Sequence, residues 1–182
     1  MRGLLIGKGK QHLDAHTLAT HNAQATNSYA NYRSLLDDSA RGVFNTRVVV
    51  TKEGAKTFAE QRNANLLLNE AAHIDTKPEL EIYNDDVACA HGATTGQLDA
   101  DAIFYLQSRG LTHEEAVAQL TLAFAESLLT SFARPEIVNF AHQRLLGQLP
   151  VAEDLALEKL IAEDAAKLEA KNLEKQLAKE LG

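Results

Sequence analysis

The chain changes character near residue 98, and this change limits its fold more than any other feature of the sequence. Before that point, short β-prone runs alternate with segments rich in turn-forming residues. The runs cover residues 3–6, 43–50, 66–68, 80–83 and 87–89. Such spacing predicts a sandwich, a barrel or a β-helix, and periodicity alone does not choose among them. There is no clean sequence repeat and no Asn-Gly or Asp-Gly hairpin dipeptide. Residues 12–29 are polar and receive no assignment.

After residue 98 the pattern is helical. Residues 99–108 predict a short helix, with Asp99 as its N-cap and Gly110 just past its end. Residues 112–115 (THEE) form a capping box that opens a second helix. In that helix we expect one apolar stripe to face inward, formed by Val117, Leu120, Phe124 and Leu128.

The remaining segments also predict helices. Pro135 suits the first turn of a third helix, and Gly147 followed by Pro150 suits its end. Residues 152–181 are rich in Ala, Leu, Glu and Lys, which favour a long helix.

Composition excludes several classes of protein. The net charge of −7 disfavours binding to nucleic-acid phosphates. A single cysteine cannot form an internal disulfide, which fits a reducing compartment. No apolar run has the roughly 20 residues that a membrane span needs, and the short run at residues 3–6 does not make a signal peptide. We therefore expect a cytoplasmic chain with no nucleic-acid or membrane partner.

The most chemically distinctive pair is Cys89 and His91. On an extended segment both side chains point to the same side. A thiolate beside an imidazole suits a soft or borderline metal such as iron or zinc. Two ligands do not close a metal site, so other ligands must come from elsewhere, and a partner chain is the expected source. A C-x-H pair is also a weak pattern, because buried structural cysteines are common.

Other candidate groups favour structural roles. His12 and His16 share a face on a strand, with His21 on the other, and H-x-x-x-H without a neighbouring Glu motif is a poor metal pattern. The remaining histidines are expected to be solvated or hydrogen-bonded: His73, His113 and His142. The pair at residues 85–86 offers two carboxylates for acid–base chemistry, or a turn before a strand. No G-x-S-x-G elbow or Walker loop occurs, so any ATPase must be another subunit.

Several motifs carry a family resemblance, which runs from about His12 to about Gly147. They are residues 40–45 (ARGVFN), 65–68 (NLLL), 74–82 (IDTKPELEI), 83–87 (YNDDV), 89–94 (CAHGAT), 96–99 (GQLD) and 104–110 (FYLQSRG). In these motifs the chain resembles the C-terminal part of the SufB/SufD family, the scaffold proteins of the Suf iron–sulfur cluster assembly system. Gly92 favours the SufD branch, because the SufB branch usually has an acidic residue there. Family members are typically more than twice this long, so the chain reads as a fragment or a truncated relative.

The resemblance implies a fold and a division of the chain. It implies a truncated right-handed parallel β-helix followed by a C-terminal helical subdomain. We expect the late coils of the β-helix over residues 1–98, the helical subdomain over 99–150 and an extra C-terminal helix over 151–182.

The resemblance also implies a function. The expected role is a non-enzymatic scaffold that pairs with a SufB-like paralogue and binds a SufC-like ABC ATPase through its helical part. His91, with Cys89 as a second candidate, would face the partner where a transient iron–sulfur cluster forms, and the partner would supply the essential cysteine. No cofactor is expected to bind the isolated chain tightly, and alone the chain is expected to self-associate, as a homodimer for example. Two alternatives stay open: a metal-dependent enzyme that uses the β-helix histidines with Asp85 or Asp86 as base, and a structural binding module in which His91 only supports a turn.

Overall fold

Seven strands precede three helices in the part of the chain that the structure describes. The structure is a computed structural model, and it describes residues 1–129, 131–132 and 134–147. The strands are β1 (Arg2–Gly7), β2 (His12–His21), β3 (Asn27–Leu36), β4 (Arg41–Val50), β5 (Thr57–Leu67), β6 (His73–Ile82) and β7 (Val87–Gly96). The helices are α1 (Ala100–Ser108), α2 (His113–Leu129) and α3 (Pro135–Leu146). The predicted change from strands to helices near residue 98 is confirmed.

Consecutive strands alternate between two sheets. The odd sheet has the order β1-β3-β5-β7 and the even sheet the order β2-β4-β6, and every neighbouring pair is parallel. Each turn of the chain therefore adds one strand to each sheet, which is the architecture of a parallel β-solenoid. This result confirms the parallel β-helix and excludes the sandwich and barrel alternatives. Parallel pairing also explains why hairpin dipeptides are missing, since tight two-residue turns join antiparallel strands.

The turns of the solenoid differ slightly in length, which hides the repeat in the sequence. Register partners on adjacent turns are separated by 29 residues for Arg2 and Asn31, since 31 − 2 = 29. The separation is 32 residues for Arg41 and His73, since 73 − 41 = 32. Because the turns differ in length, the sequence shows no fixed period.

The two sheets face each other across a closely packed interior. The Tyr32 ring of β3 packs on the Phe44 ring of β4, with centroids 4.7 Å apart. Near the last turns, Val48 and Val50 of the even sheet form a buried cluster with Ala59 of the odd sheet. The interior also holds fully buried polar side chains, among them Gln61 of β5. We call the side of each sheet that is turned toward the other its interior face.

Strand β2 occupies most of the segment that the sequence left unassigned. Its residues alternate between exposed and half-buried positions, which is the period-2 pattern of a strand with one solvated face. Apart from Leu13, however, the interior positions hold small or polar residues such as Ala15 and Thr17. The usual apolar signal of a half-buried strand is therefore weak.

The helix boundaries follow the predicted capping signals. The Asp99 carboxylate accepts a hydrogen bond from the Asp101 backbone N–H at 2.9 Å, and Gly110 has φ of +100° just after α1. Thr112 and Glu115 form the reciprocal capping box, with bonds of 2.7 and 3.2 Å. Pro135 opens α3 and Gly147 follows it. Pro150 and the long helix predicted for residues 152–181 lie outside the described residues.

The apolar stripe predicted for α2 is wrong for most of its residues. Of its four residues only Leu128 is buried, whereas Val117, Leu120 and Phe124 are half-buried. The face that is buried consists of Ala116, Ala118, Thr121, Leu122, Ala125, Leu128 and Leu129. Three alanines in this face let the helix approach its neighbours closely, and a search for large apolar side chains overlooks them. Leu122, Ala125 and Leu129 join a cluster with Leu35 and Leu66 of the odd sheet.

Candidate functional site

The Cys-x-His pair lies on β7, the last strand of the odd sheet. Cys89 stands in register with Ala59 of β5, and His91 with Gln61. Ala59 and Gln61 are buried interior residues, and side chains in register on neighbouring strands point to the same face. Cys89 and His91 therefore share one face of the strand, as predicted, and that face is the interior one.

The last turn leaves the solenoid open at this end. Among the described residues β7 pairs only with β5, and β6 pairs only with β4. Some interior-facing side chains of the two strands are consequently exposed, among them His91 on β7 and Ile82 on β6, the latter 43% exposed. We call this end of the interior, between β6 and β7, the mouth.

Cys89 has an apolar environment. It is half-buried and packs against the cluster of Val48, Val50 and Ala59. Burial raises the pKa of the Cys89 thiol, although a hydrogen bond with the Ala59 backbone opposes that shift. At neutral pH the group is therefore a protonated thiol, whereas a thiolate is the form that binds metals. In this chain Cys89 packs as a small apolar side chain, and metal binding by its sulfur would first require loss of the thiol proton.

His91 lies at the mouth. Its register partner on the neighbouring strand β5 is Gln61, whose side chain is buried. Nowhere in the described part of the chain do three or more His, Cys, Asp or Glu side chains come together as a metal-binding group. A metal held at His91 therefore needs ligands beyond the described residues of this chain.

The acidic residues near the pair form a turn. Asn84 donates from its side chain to the Lys52 carbonyl at 2.7 Å and accepts from the Asp86 backbone N–H at 2.9 Å. Asp85 and Asp86 are exposed in this turn, which leads directly into β7. This arrangement is the turn before a strand that the sequence offered as one interpretation of the two carboxylates.

The other histidines lie apart from the mouth or in bonded positions. His12 and His16 are exposed on the outer face of β2, and His16 contacts Asp14 at 2.7 Å. His21 is buried, as expected for the opposite face, and its ring nitrogens bond the Thr26 and Ser28 hydroxyls at 2.7 and 2.8 Å. Burial lowers the pKa of His21.

The last three histidines lie on β6 and on helices. His73 contacts Asp75 at 3.2 Å and His142 contacts Glu126 at 2.9 Å, while His113 is exposed at the start of α2. Hydrogen-bonding roles are therefore found for two of them.

Sequence reasoning missed the polar row of β5 beneath the mouth. Gln61, Asn63 and Asn65 are buried on its interior face, and Asn63 accepts hydrogen bonds from Asn65 and Thr76 at 2.7 Å each. The signal was present as amide side chains at every second position, which is the period of one strand face.

Comparison with known proteins places the chain in a family. Residues 1–124 match the family described as SUF system FeS cluster assembly, SufBD core domain. The chain belongs to the SufBD core family. The match covers β1 to β7 and most of α2, so it includes the mouth and its Cys-x-His pair.

Several SufBD relatives are similar in sequence. The iron–sulfur cluster assembly protein SufD of Escherichia coli (strain K12) is 39% identical over 138 residues, covering 74% of this chain and 33% of that relative. An iron–sulfur cluster assembly SufBD family protein of Synechocystis sp. is 44% identical over 128 residues, covering 69% of this chain and 28% of that relative. The SufD protein of Bacillus subtilis (strain 168) is 34% identical over 113 residues, covering 62% of this chain and 26% of that relative. The resemblance to the SufD branch is thus confirmed, and the chain spans about a third of the length of these relatives or less.

No helix in the described ranges is both long and apolar enough to cross a membrane.

Proposed function

We propose that this chain contributes to iron–sulfur cluster assembly as a non-enzymatic scaffold, with the mouth of its β-solenoid as the assembly site. The observation that carries the proposal is the position of His91, an exposed imidazole on the interior face of an edge strand. Membership of the SufBD core family supports the same reaction class. The cluster is the cargo of the scaffold, and we do not expect the chain alone to hold it tightly, because too few ligands meet at the mouth among the described residues.

The free edge of β7 favours pairing with a SufB-like paralogue. Natural sheet edges are usually protected by charged residues or proline, and β7 contains neither. Strand β6, by contrast, carries both Pro78 and a charged outer row. A partner strand added to β7 would bring its own ligands next to Cys89 and His91. Without that partner, the same edge favours a homodimer.

The helices offer the surface for a SufC-like ABC ATPase. Large apolar side chains are exposed on α1 and α3: Phe104, Tyr105, Ile137 and Phe140. Contiguous patches of exposed apolar side chains often mark protein interfaces, and we propose these four residues as the candidate contacts. ATP binding and hydrolysis would belong to the ATPase, since the sequence has no phosphate-binding loop. Closure of the ATPase pair on ATP would strain the scaffold pair and bring the Cys and His ligands together.

The test is cluster formation in the reconstituted complex. The chain is co-expressed with a SufB-like partner and a SufC-like ATPase, and the cluster is measured by visible absorption after anaerobic reconstitution with iron and sulfide. We expect His91→Ala to abolish or sharply reduce the cluster without unfolding the chain, and Cys89→Ser to reduce it less.

His73→Ala is the matched control, because His73 is an exposed histidine on the outer face of the even sheet. It should leave the cluster yield unchanged. A wild-type yield from the His91→Ala complex would contradict the site and leave a structural binding module as the remaining role.

A further inference from the structure

We propose that Gln61 is a positioning residue for His91, which it holds through a hydrogen bond from one ring nitrogen so that the other nitrogen points out of the mouth. This inference rests on the proposed function of His91 and adds a second residue to that site.

The first support is the orientation of the Gln61 amide. Gln61 is 1% exposed, and its Nε2 donates to the Glu79 backbone carbonyl at 3.3 Å. A carbonyl oxygen only accepts hydrogen bonds, so this contact identifies the amide nitrogen and leaves Oε1 as the other atom. The bond joins the odd sheet to the even sheet, which fixes the side chain across the interior.

The second support is an acceptor without a donor. Gln61 Oε1 is buried and has no hydrogen-bond partner among the described residues. Leaving a buried polar atom unpaired is destabilising, so such atoms usually have a purpose or a missing partner.

The third support is the register, which places a donor next to that acceptor. His91 is the register partner of Gln61, and strands in a sheet lie about 4.8 Å apart. A neutral imidazole has one N–H to donate, and we infer that the exposed His91 ring can turn so that this group reaches Oε1. Metal-binding histidines usually donate their second nitrogen to an oxygen acceptor in this way, which fixes the tautomer and orients the ligand.

The neighbouring amides of β5 do not compete for this role. The Asn63 side-chain oxygen already accepts from Asn65 and Thr76. Asn65 stands beside Thr95 and donates to the Thr94 carbonyl at 3.0 Å. Within the row of β5 amides, Gln61 is the member that adjoins an imidazole.

The experiment measures the tautomer of His91 in the whole chain by ¹⁵N NMR, at mildly alkaline pH where imidazoles are neutral. We expect a single tautomer for His91. His12 is the internal reference, because it is exposed and its ring has no hydrogen bond to the described residues; it should show the mixture of a free imidazole. If the ring ¹⁵N shifts of His91 match those of His12 in the wild-type chain, the proposal is overturned. This comparison is made within one protein and requires no variant.

Two variants then separate the acceptor from the rest of the side chain. Gln61→Met and Gln61→Glu both lose the donor to Glu79, but only the glutamate keeps an oxygen acceptor. We expect Gln61→Met to convert His91 to the mixed tautomer and to lower the cluster yield of the complex about tenfold, and Gln61→Glu to keep the single tautomer. An unchanged His91 spectrum in folded Gln61→Met would overturn the proposal.

The NMR measurement also separates this inference from the proposed function. If His91 is held by Gln61 but His91→Ala leaves the cluster yield intact, the contact stands and the assembly role fails. If His91→Ala abolishes the cluster while His91 shows a free tautomer mixture, the assembly role stands and the positioning role fails.

Discussion

Cys89 stands in register with Ala59, and this pairing places its thiol among the apolar side chains that close the interior near the mouth. Two residues along the same strand, His91 stands in register with the polar Gln61. The two members of the Cys-x-His pair therefore share a face but have different environments. One is half-buried beside alanine and valine, and the other is exposed above an amide.

The environment of Cys89 predicts a pH dependence of stability. Burial raises the pKa of the folded thiol above its usual value, so the folded chain keeps this proton more firmly than the unfolded chain does. The resulting contribution to stability is present below the usual thiol pKa and is lost as pH rises through the raised pKa. The free energy of unfolding should therefore fall at alkaline pH in the wild type, and less in Cys89→Ser. Parallel curves of the free energy of unfolding against pH for the two proteins would contradict this prediction.

The corrected face of α2 predicts which truncation is costly. Leu122 is buried against the odd sheet, so Leu122→Ala should lower the free energy of unfolding by about 2–5 kcal/mol. Phe124 is half-buried, and the Arg33 guanidinium lies over its ring at 4.7 Å, so Phe124→Ala should cost less, about 1–2 kcal/mol. Urea unfolding of both variants checks the order. Phe104→Ala, at a site 71% exposed, is the control and should change stability little. A larger loss of stability for Phe124→Ala than for Leu122→Ala would support the apolar stripe that the sequence predicted.

We expect Pro78 to protect the open edge of β6 against self-association. The backbone N–H groups of His73 and Tyr83 donate to β4, at the Ala40 and Val50 carbonyls, so odd-numbered positions along β6 bond inward and even-numbered ones face the open edge. Pro78 is even-numbered and removes one donor from that edge. Pro78→Val restores the donor and should increase self-association in sedimentation velocity. Leu80→Val is the control, because it changes a side chain on the same edge without adding an N–H group. Equal sedimentation of all three proteins would exclude this protective role.

The sequence predicted the features that depend on local chemistry. A cap needs only a hydroxyl or carboxylate and a nearby backbone N–H, so Asp99 and the Thr112–Glu115 box were visible from a few residues. The alternation of faces that brings Cys89 and His91 together also needs only a strand of a few residues.

The features that depend on packing across the molecule were not predictable in the same way. Most interior positions of β2 hold small or polar residues, and nothing in residues 12–21 alone marks this side of the strand as the one that faces the opposite sheet. The buried face of α2 includes Ala125, which packs in the cluster with Leu35 and Leu66 of the odd sheet, and this contact is not visible from the helix sequence alone. The pairing of Gln61 with His91 depends on the register of β5 and β7, whose partners are 30 residues apart in sequence, since 91 − 61 = 30.

That register arranges the residues of successive turns in columns that run along the solenoid. A side chain in one turn lies beside residues that are 29 to 32 positions away in the sequence, in the neighbouring turns. Its neighbours in space are therefore distant in the gene. Compensating changes should then accumulate in columns, with a substitution at position 61 answered at position 91 rather than at 60 or 62. An insertion of one residue within a strand would move every later side chain of that strand to the opposite face, whereas gain or loss of an entire turn would leave each column intact. Evolution can therefore lengthen or shorten such a scaffold by whole turns while its last turn, with the mouth, stays the same.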